Sequence, residues 1–290
     1  MAYIMKNHAF PCNYFQGDGI DLELFLCSDV LKLRSLHYGY WNHNQKPTLH
    51  NLRKSQQRYT DTLVALIPPH VKTILDVGCG IGDIARALVQ RGYIVSAISP
   101  DTNHAKYFTN QTNSLSFIPT TFEEFTTNQR YDLILMSESQ NYFDVDVGFQ
   151  QCRRYLSPHG YLLVSGKFRK EASDAFQDVI NVEKEYLRKA NQYGFRLLKR
   201  IDITKRVLPT LDLVHTVMHE HIEPFTVMIE HYLRSGAPVI TTAIRLILWR
   251  RIRSIRDLLR YYQEHTNPSQ FQDKCAYLRI LFQVASHGGP

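Results

Sequence analysis

The sequence predicts an α/β protein: a doubly wound, mostly parallel seven-stranded sheet with helices before it and a helical cap inserted ahead of the last strand. Three observations predict it. Short, wholly apolar segments alternate with helical ones from Val71 onward, which is the pattern of strands buried on both faces. A glycine turn, Gly78 to Gly82, directly follows the first of these segments and opens a helix. Roughly 70 residues of helical character separate the sixth strand from the last, too many for a structureless loop in a compact domain.

Residues 1–70 form an N-terminal helical segment. Ile20 to Leu33 has helical spacing, the aromatic run Leu36-His37-Tyr38-Gly39-Tyr40-Trp41 follows, and a helix from Thr48 to Ile67 is stopped by Pro68-Pro69. Residues 71–204 are the sheet core. Strands are expected at Thr73–Val77, Tyr93–Ile98, Leu115–Ile118, Tyr131–Met136, Tyr161–Ser165 and Phe195–Asp202. The helices between them are Asp83–Arg91, Thr102–Asn110, Val147–Leu156 and Ala172–Tyr193, with a turn at Pro158-His159-Gly160. Residues 205–275 are the cap, and 276–290 hold the last strand, Tyr277–Ala285, and a tail.

Composition narrows the class. With 44% hydrophobic residues in 290, a packed core is well supplied. The opening Met1–Phe10 has no apolar run, so no signal peptide is expected. The stretch Val239–Trp249 is too short and too polar to span a bilayer. Five cysteines, at 12, 27, 79, 152 and 275, include no Cys-x-x-Cys pair, which points to reduced thiols and a cytoplasmic protein. The net charge of +7 suits an ordinary cytoplasmic enzyme; it also favours an anionic substrate, an acidic partner or a membrane surface.

The turn Asp76-Val77-Gly78-Cys79-Gly80-Ile81-Gly82-Asp83 carries the chemistry. Glycines at 78 and 80 let backbone approach a ligand closely. A dinucleotide site spaces its third glycine one residue later, so that a pyrophosphate rests on the helix N-terminus. Here Asp83 stands at that place and would repel phosphate. No Gly-Lys-Ser/Thr follows, which excludes a nucleoside-triphosphate loop. Carboxylates at such a turn suit a cationic ligand.

On these residues the chain resembles the class I S-adenosylmethionine-dependent methyltransferases, and among them the small-molecule and lipid branch of tocopherol, sterol and cyclopropane-fatty-acid methyltransferases. The resemblance implies a Rossmann-like methyltransferase fold and S-adenosylmethionine as donor, with S-adenosylhomocysteine as product. It places Asp76, Gly78 and Gly80 on the methionine part of the cofactor. The run Ala97-Ile98-Ser99-Pro100-Asp101 resembles that branch's segment after the second strand, assigning Ser99 and Pro100 to the ribose side. His104 falls where the branch has a glutamine, and Asp101 either replaces the missing acid or caps the next helix. Thr121 and Phe122 occupy the adenine-side position, and Ser137 lines the crevice. The segment His37–Trp41 resembles a tyrosine-bearing stretch that closes over the cofactor, which assigns Tyr38 to the site. The Glu-His pair of cyclopropane synthases is absent at Asn141-Tyr142, which disfavours cyclopropanation.

The expected activity is methyl transfer to a small hydrophobic or amphipathic acceptor (natural product, terpenoid or lipid-like), on carbon, oxygen or nitrogen. The alternative is a non-catalytic or differently reacting S-adenosylmethionine-binding protein of the same fold. Candidate bases are Glu138, His215 and His219. The two histidines share a helix face, but their order is not His-Glu-x-x-His, so no metal is expected. Nucleic acid is disfavoured, since no basic recognition module appears. Pro238 to Gln263 reads as one amphipathic helix whose arginines are opposed only by Asp257; it is either a solvated face or a docking surface for a membrane or an acidic carrier protein.

Overall fold

The computed structural model describes residues 24, 27–28, 31–109, 112–171, 180–247, 249, 252–253, 257, 260 and 266–285. Helix α1 (Leu49–Val64) precedes the sheet. Seven strands follow: β1 (Thr73–Val77), β2 (Ile94–Ile98), β3 (Leu115–Ile118), β4 (Tyr131–Ser137), β5 (Leu156–Arg169), β6 (Phe195–Asp202) and β7 (Cys275–Val284). Their order is β3-β2-β1-β4-β5-β7-β6. All neighbours are parallel except β7, which runs antiparallel to both β5 and β6. The mostly parallel sheet expected from the apolar runs is therefore present.

Those runs are continuous because each strand feeds two cores. Ile74, Leu133, Leu135 and Leu163 face α1 and α2 (Asp83–Val89). Leu75, Ile134, Met136 and Leu162 face α3 (Val145–Tyr155) and α4 (Glu183–Gln192). Helix α5 (Thr204–Thr216) leaves β6 and continues through a π-helical turn, Val217–Ile222, into α6 (Glu223–Gly236). Then come α7 (Pro238–Ile247) and α8 (Pro268–Lys274). No helix among the described residues is long and apolar enough to cross a membrane.

Some local expectations shift. Pro158-His159-Gly160 lies inside β5 as an irregularity opposite Tyr131–Leu133, with His159 at φ +61°, rather than forming a turn before it. The local turn chemistry is absorbed as a bulge between the paired residues Leu156 and Tyr161. The segment Thr102–Phe108 is a 3₁₀ helix. Helix α4 begins at Glu183, after Val182 bridges to Arg169, and residues 172–179 of the expected longer helix lie outside the described residues. Of the expected helix Ile20–Leu33, Leu24 and Cys27–Ser28 are helical, the chain has bent by Leu31, and the remainder lies outside the described residues. Most of 248–263 lies outside them as well.

Candidate active site at the glycine turn

The C-terminal ends of β1, β2 and β4 meet at the glycine turn. Gly78, Gly80 and Gly82 have φ of +73°, +53° and +76°, the left-handed region that other residues enter at a cost. A Cβ on Gly78 would fall 2.4 Å from Ser139 Cβ, whereas one on Gly80 would meet nothing nearer than Leu36 Cδ1 at 3.8 Å. Gly78 is thus packed shut, whereas Gly80 has room for a Cβ, in ordinary contact with Leu36. The Gly78 and Cys79 amides donate to the Ile98 carbonyl at the end of β2 (2.9 and 3.1 Å), fixing the turn against its neighbour.

Asp76 is 2% exposed, and its Oδ2 has no hydrogen-bond partner among the described residues. Burial, and then the charge of Asp83, pushes its pKa up to about 7. Asp83 is engaged within the chain. It accepts hydrogen bonds from Ser35 Oγ (2.7 Å) and His37 Nε2 (2.9 Å). Burial opposes its ionisation, but the charge of His37 and these hydrogen bonds win and lower its pKa.

His37 sits between two groups that can only accept. Its Nδ1 lies 2.7 Å from the Tyr38 carbonyl and its Nε2 lies 2.9 Å from the Asp83 carboxylate. The same Nε2 lies 3.2 Å from Thr60 Oγ1, and the two oxygen acceptors favour the charged, doubly protonated ring. Burial works against that charge, yet Asp83 outweighs it and the pKa is raised. The ring stacks on Tyr59 with centroids 4.3 Å apart. The strap of residues 35–41 is pinned elsewhere too: Gln56 Nε2 donates to the Ser35 and His37 carbonyls, and the Gly39 amide and Trp41 Nε1 both donate to Thr210 Oγ1 on α5.

The Tyr38 amide donates to Glu138 Oε1 (3.0 Å), which joins the strap to the end of β4. Glu138 has φ +62°, unusual for a residue with a side chain. The same Oε1 accepts from the Tyr277 hydroxyl. That hydroxyl meets Tyr59 Oη (2.9 Å), which also reaches Ser137 Oγ (3.0 Å) and Ser165 Oγ (2.7 Å). Lys167 Nζ lies 4.9 Å from the Tyr38 ring centre. Arg279, 3% exposed, is held between the Tyr59 and Tyr40 rings and donates to the Tyr59 carbonyl and Thr62 Oγ1.

Tyr38, Ser137 and Glu138 are therefore linked in one network beside the turn that holds Asp76, Gly78 and Gly80. Ser99 Oγ lies 2.9 Å from His104 Nδ1, and His104 Nε2 lies 3.5 Å from Asp101 Oδ2. Asp101 caps the 3₁₀ helix through Asn103 N (2.8 Å), so of its two readings the cap is the one seen. Pro100 is half-buried beside this set. Thr121 Oγ1 accepts from Glu124 N, and the Phe122 ring is buried in the second core. Their side chains are thus engaged in structure, leaving backbone edge for contact with a ligand. His215 and His219 form a separate pair, rings 4.3 Å apart, with His219 paired to Glu223 (3.2 Å). Five participants carried no assignment in the sequence: Tyr59, Asp83 as a latch, Lys167, Tyr277 and Arg279. An arginine in the middle of the mostly apolar last strand was the one visible signal.

Residues 75–164 match the family model described as a methyltransferase domain. With the strand order above, the chain has the fold of the class I methyltransferases, and residues 75–164 are similar to a methyltransferase domain. Among relatives, the ubiquinone biosynthesis O-methyltransferase of Bradyrhizobium diazoefficiens is 30% identical over 97 residues, 32% of this chain and 38% of that protein. The enzyme of the same name from Saccharophagus degradans is 28% identical over 148 residues, 48% of this chain and 61% of that one. The chain thus spans about two-fifths to three-fifths of the length of these curated relatives. Geranyl diphosphate C-methyltransferase from Streptomyces coelicolor A3(2) superposes with TM-score 0.65 at 14% identity, covering 94% of this chain and 96% of that one. The site suits the cationic donor of such a domain. An unpartnered, buried carboxylate oxygen at Asp76 and an open cradle at Gly80 are features that an ammonium-bearing ligand would complete.

Proposed function

We propose that the chain transfers the methyl group of S-adenosylmethionine to a small hydrophobic or amphipathic acceptor. The observation that carries this reading is the unpartnered Asp76 carboxylate oxygen beside a glycine turn open at Gly80. A buried carboxylate is costly unless a cation completes it, and the donor's amino-acid end supplies one. When bound, the donor offers a methyl group on cationic sulfur for in-line displacement. Charge is dispersed in that step, so the chain's task is positioning and water exclusion.

In this reading residues 71–204 hold the donor, the segment before them covers it, and the cap, 205–275, shapes the acceptor chamber. Asp76 pairs with the ammonium, and the Gly78–Gly80 backbone passes close to the methionine part. Ser99, Pro100 and His104 flank the ribose, and Thr121 and Phe122 the adenine. Tyr38 closes the site from above, kept there by Glu138 and by the His37–Asp83 latch. An oxygen acceptor is favoured by the two curated relatives, both named O-methyltransferases. Such an acceptor gives up a proton, for which Glu138, His215 and His219 are the candidate bases.

Calorimetry with S-adenosylhomocysteine tests the donor site, and its formation from S-adenosylmethionine on adding cell extract tests turnover. Binding without turnover under any extract would favour the non-catalytic alternative. Uptake of a nicotinamide or flavin dinucleotide in place of S-adenosylhomocysteine would overturn the reading.

A further inference from the structure

Helices α6 and α7 carry apolar stripes that point outward. On α6, Phe225, Met228 and Tyr232 recur at i, i+3 and i+7, the spacing of a single helix face, and are 57%, 60% and 72% exposed. No residue of α6 is buried. On α7, Val239 and Leu246 recur at i and i+7 and are 81% and 72% exposed. The two helices meet at Ala237, where Thr241 Oγ1 donates to the Leu233 carbonyl (2.7 Å). In a water-soluble protein such a stripe ordinarily turns to the core, and a large outward apolar area marks a binding surface.

The charge of the surrounding sequence says what the surface suits. From residue 234 to 260 there are seven arginines, at 234, 245, 250, 251, 253, 256 and 260, no lysine, and Asp257 as the single acid. Arg253 and Asp257 form a pair at 3.9 Å, and Arg234 is paired with Glu230. Trp249, 51% exposed, stands where the apolar stretch gives way to the arginines. Apolar stripes with aromatic side chains and a basic flank are the composition of a helix lying in a bilayer interface. An acidic soluble protein would be met by the arginines but would leave the apolar stripes in water.

We propose that helices α6 and α7, with Trp249, Arg253 and Arg260 beyond them, form a docking surface for anionic lipid bilayers, lying on the membrane without crossing it. This surface does not depend on the methyl-transfer reading. The test is sedimentation of the full chain with phosphatidylcholine vesicles containing about one-third phosphatidylserine, beside pure phosphatidylcholine vesicles, at low and high salt. The expected result is binding to the anionic vesicles, weaker by at least about 10-fold on neutral ones and released by salt. Two double variants follow, Phe225→Ser with Tyr232→Ser, and Arg253→Glu with Arg260→Glu. Each should lower vesicle binding by about 10-fold or more while melting temperature and S-adenosylhomocysteine affinity stay unchanged. Absence of vesicle binding, or binding unaltered in both variants, overturns the proposal. So does light scattering that finds a dimer dissociated by the Phe225/Tyr232 change, which would make a second copy the occupant. Calorimetry on the same samples reports the donor site separately, so failure of one reading is distinguishable from failure of the other.

Discussion

Replacing Asp76 with asparagine should stabilise the ligand-free protein at alkaline pH while weakening its hold on S-adenosylhomocysteine. Asp76 is buried with an unpartnered oxygen, and burial followed by the charge of Asp83 moves its pKa from 3.8 to about 7. A carboxyl whose pKa is raised on folding holds its proton more tightly in the native state. The stability it contributes is complete below pH 3.8 and is lost as pH rises to about 7. The whole displacement is worth about 4 kcal/mol, of which about 2 kcal/mol disappears between roughly pH 5.5 and 8. Asparagine does not titrate, so its advantage over the native protein should grow by that amount across the interval. For a chain of this size the gap corresponds to roughly 3 °C in melting temperature. Differential scanning calorimetry of both proteins at the two pH values reads it. Loss of the charge-assisted contact should cost about 10- to 100-fold in S-adenosylhomocysteine affinity. Parallel pH profiles for the two proteins, or a variant that melts below the native protein at pH 8, would refute the reasoning.

Other outcomes follow from the same contacts. His37→Leu leaves the Asp83 carboxylate with Ser35 as its remaining side-chain hydrogen-bond donor and should cost about 3 kcal/mol in urea unfolding. Asp83 supplies its share above pH 3.8 and loses it as pH falls through its lowered pKa; His37 supplies its share below 6.5 and loses it as pH rises through its raised one. The penalty should accordingly be largest between those two values, and a pH-independent penalty would count against the ion pair. Gly80→Asp should lower melting by a few degrees, because φ is +53° there, and eliminate S-adenosylhomocysteine binding in calorimetry, because the added side chain stands at the turn with room beyond its Cβ. Tyr277→Phe removes the hydroxyl shared by Glu138 and Tyr59, and should cost about 1–2 kcal/mol in chemical denaturation while S-adenosylhomocysteine affinity is retained.

The sheet was legible because burial on both faces leaves a simple mark: uninterrupted apolar runs such as Ile74–Leu75 and Leu133–Met136. The glycine turn was legible because positive φ and close approach restrict the residues allowed there. Polar groups that hold the site together were not. Tyr59 lies in a helix and Tyr277 in a strand, 218 positions apart, and their hydroxyls meet only after the sheet has formed. Asp83 was read as a charge facing the ligand; its partners, Ser35 and His37, lie more than 40 residues upstream and nothing local reveals them. Pro158-His159-Gly160 carries turn chemistry and keeps it as an irregularity inside β5, with His159 at φ +61° and the paired register resuming at Tyr161.

The route by which the chain leaves the sheet for the cap and returns has a consequence of its own. The Ile203 amide donates to the Tyr277 carbonyl, and the Tyr277 amide donates to Thr204 Oγ1, so exit and re-entry are clasped at one point. The ends of that long excursion are held together whatever lies between them. Helices there can lengthen, shorten or change character without disturbing strand registry, since ring-closure entropy grows only slowly with length. Selection can therefore remodel residues 205–275 while the sheet beneath stays as it is.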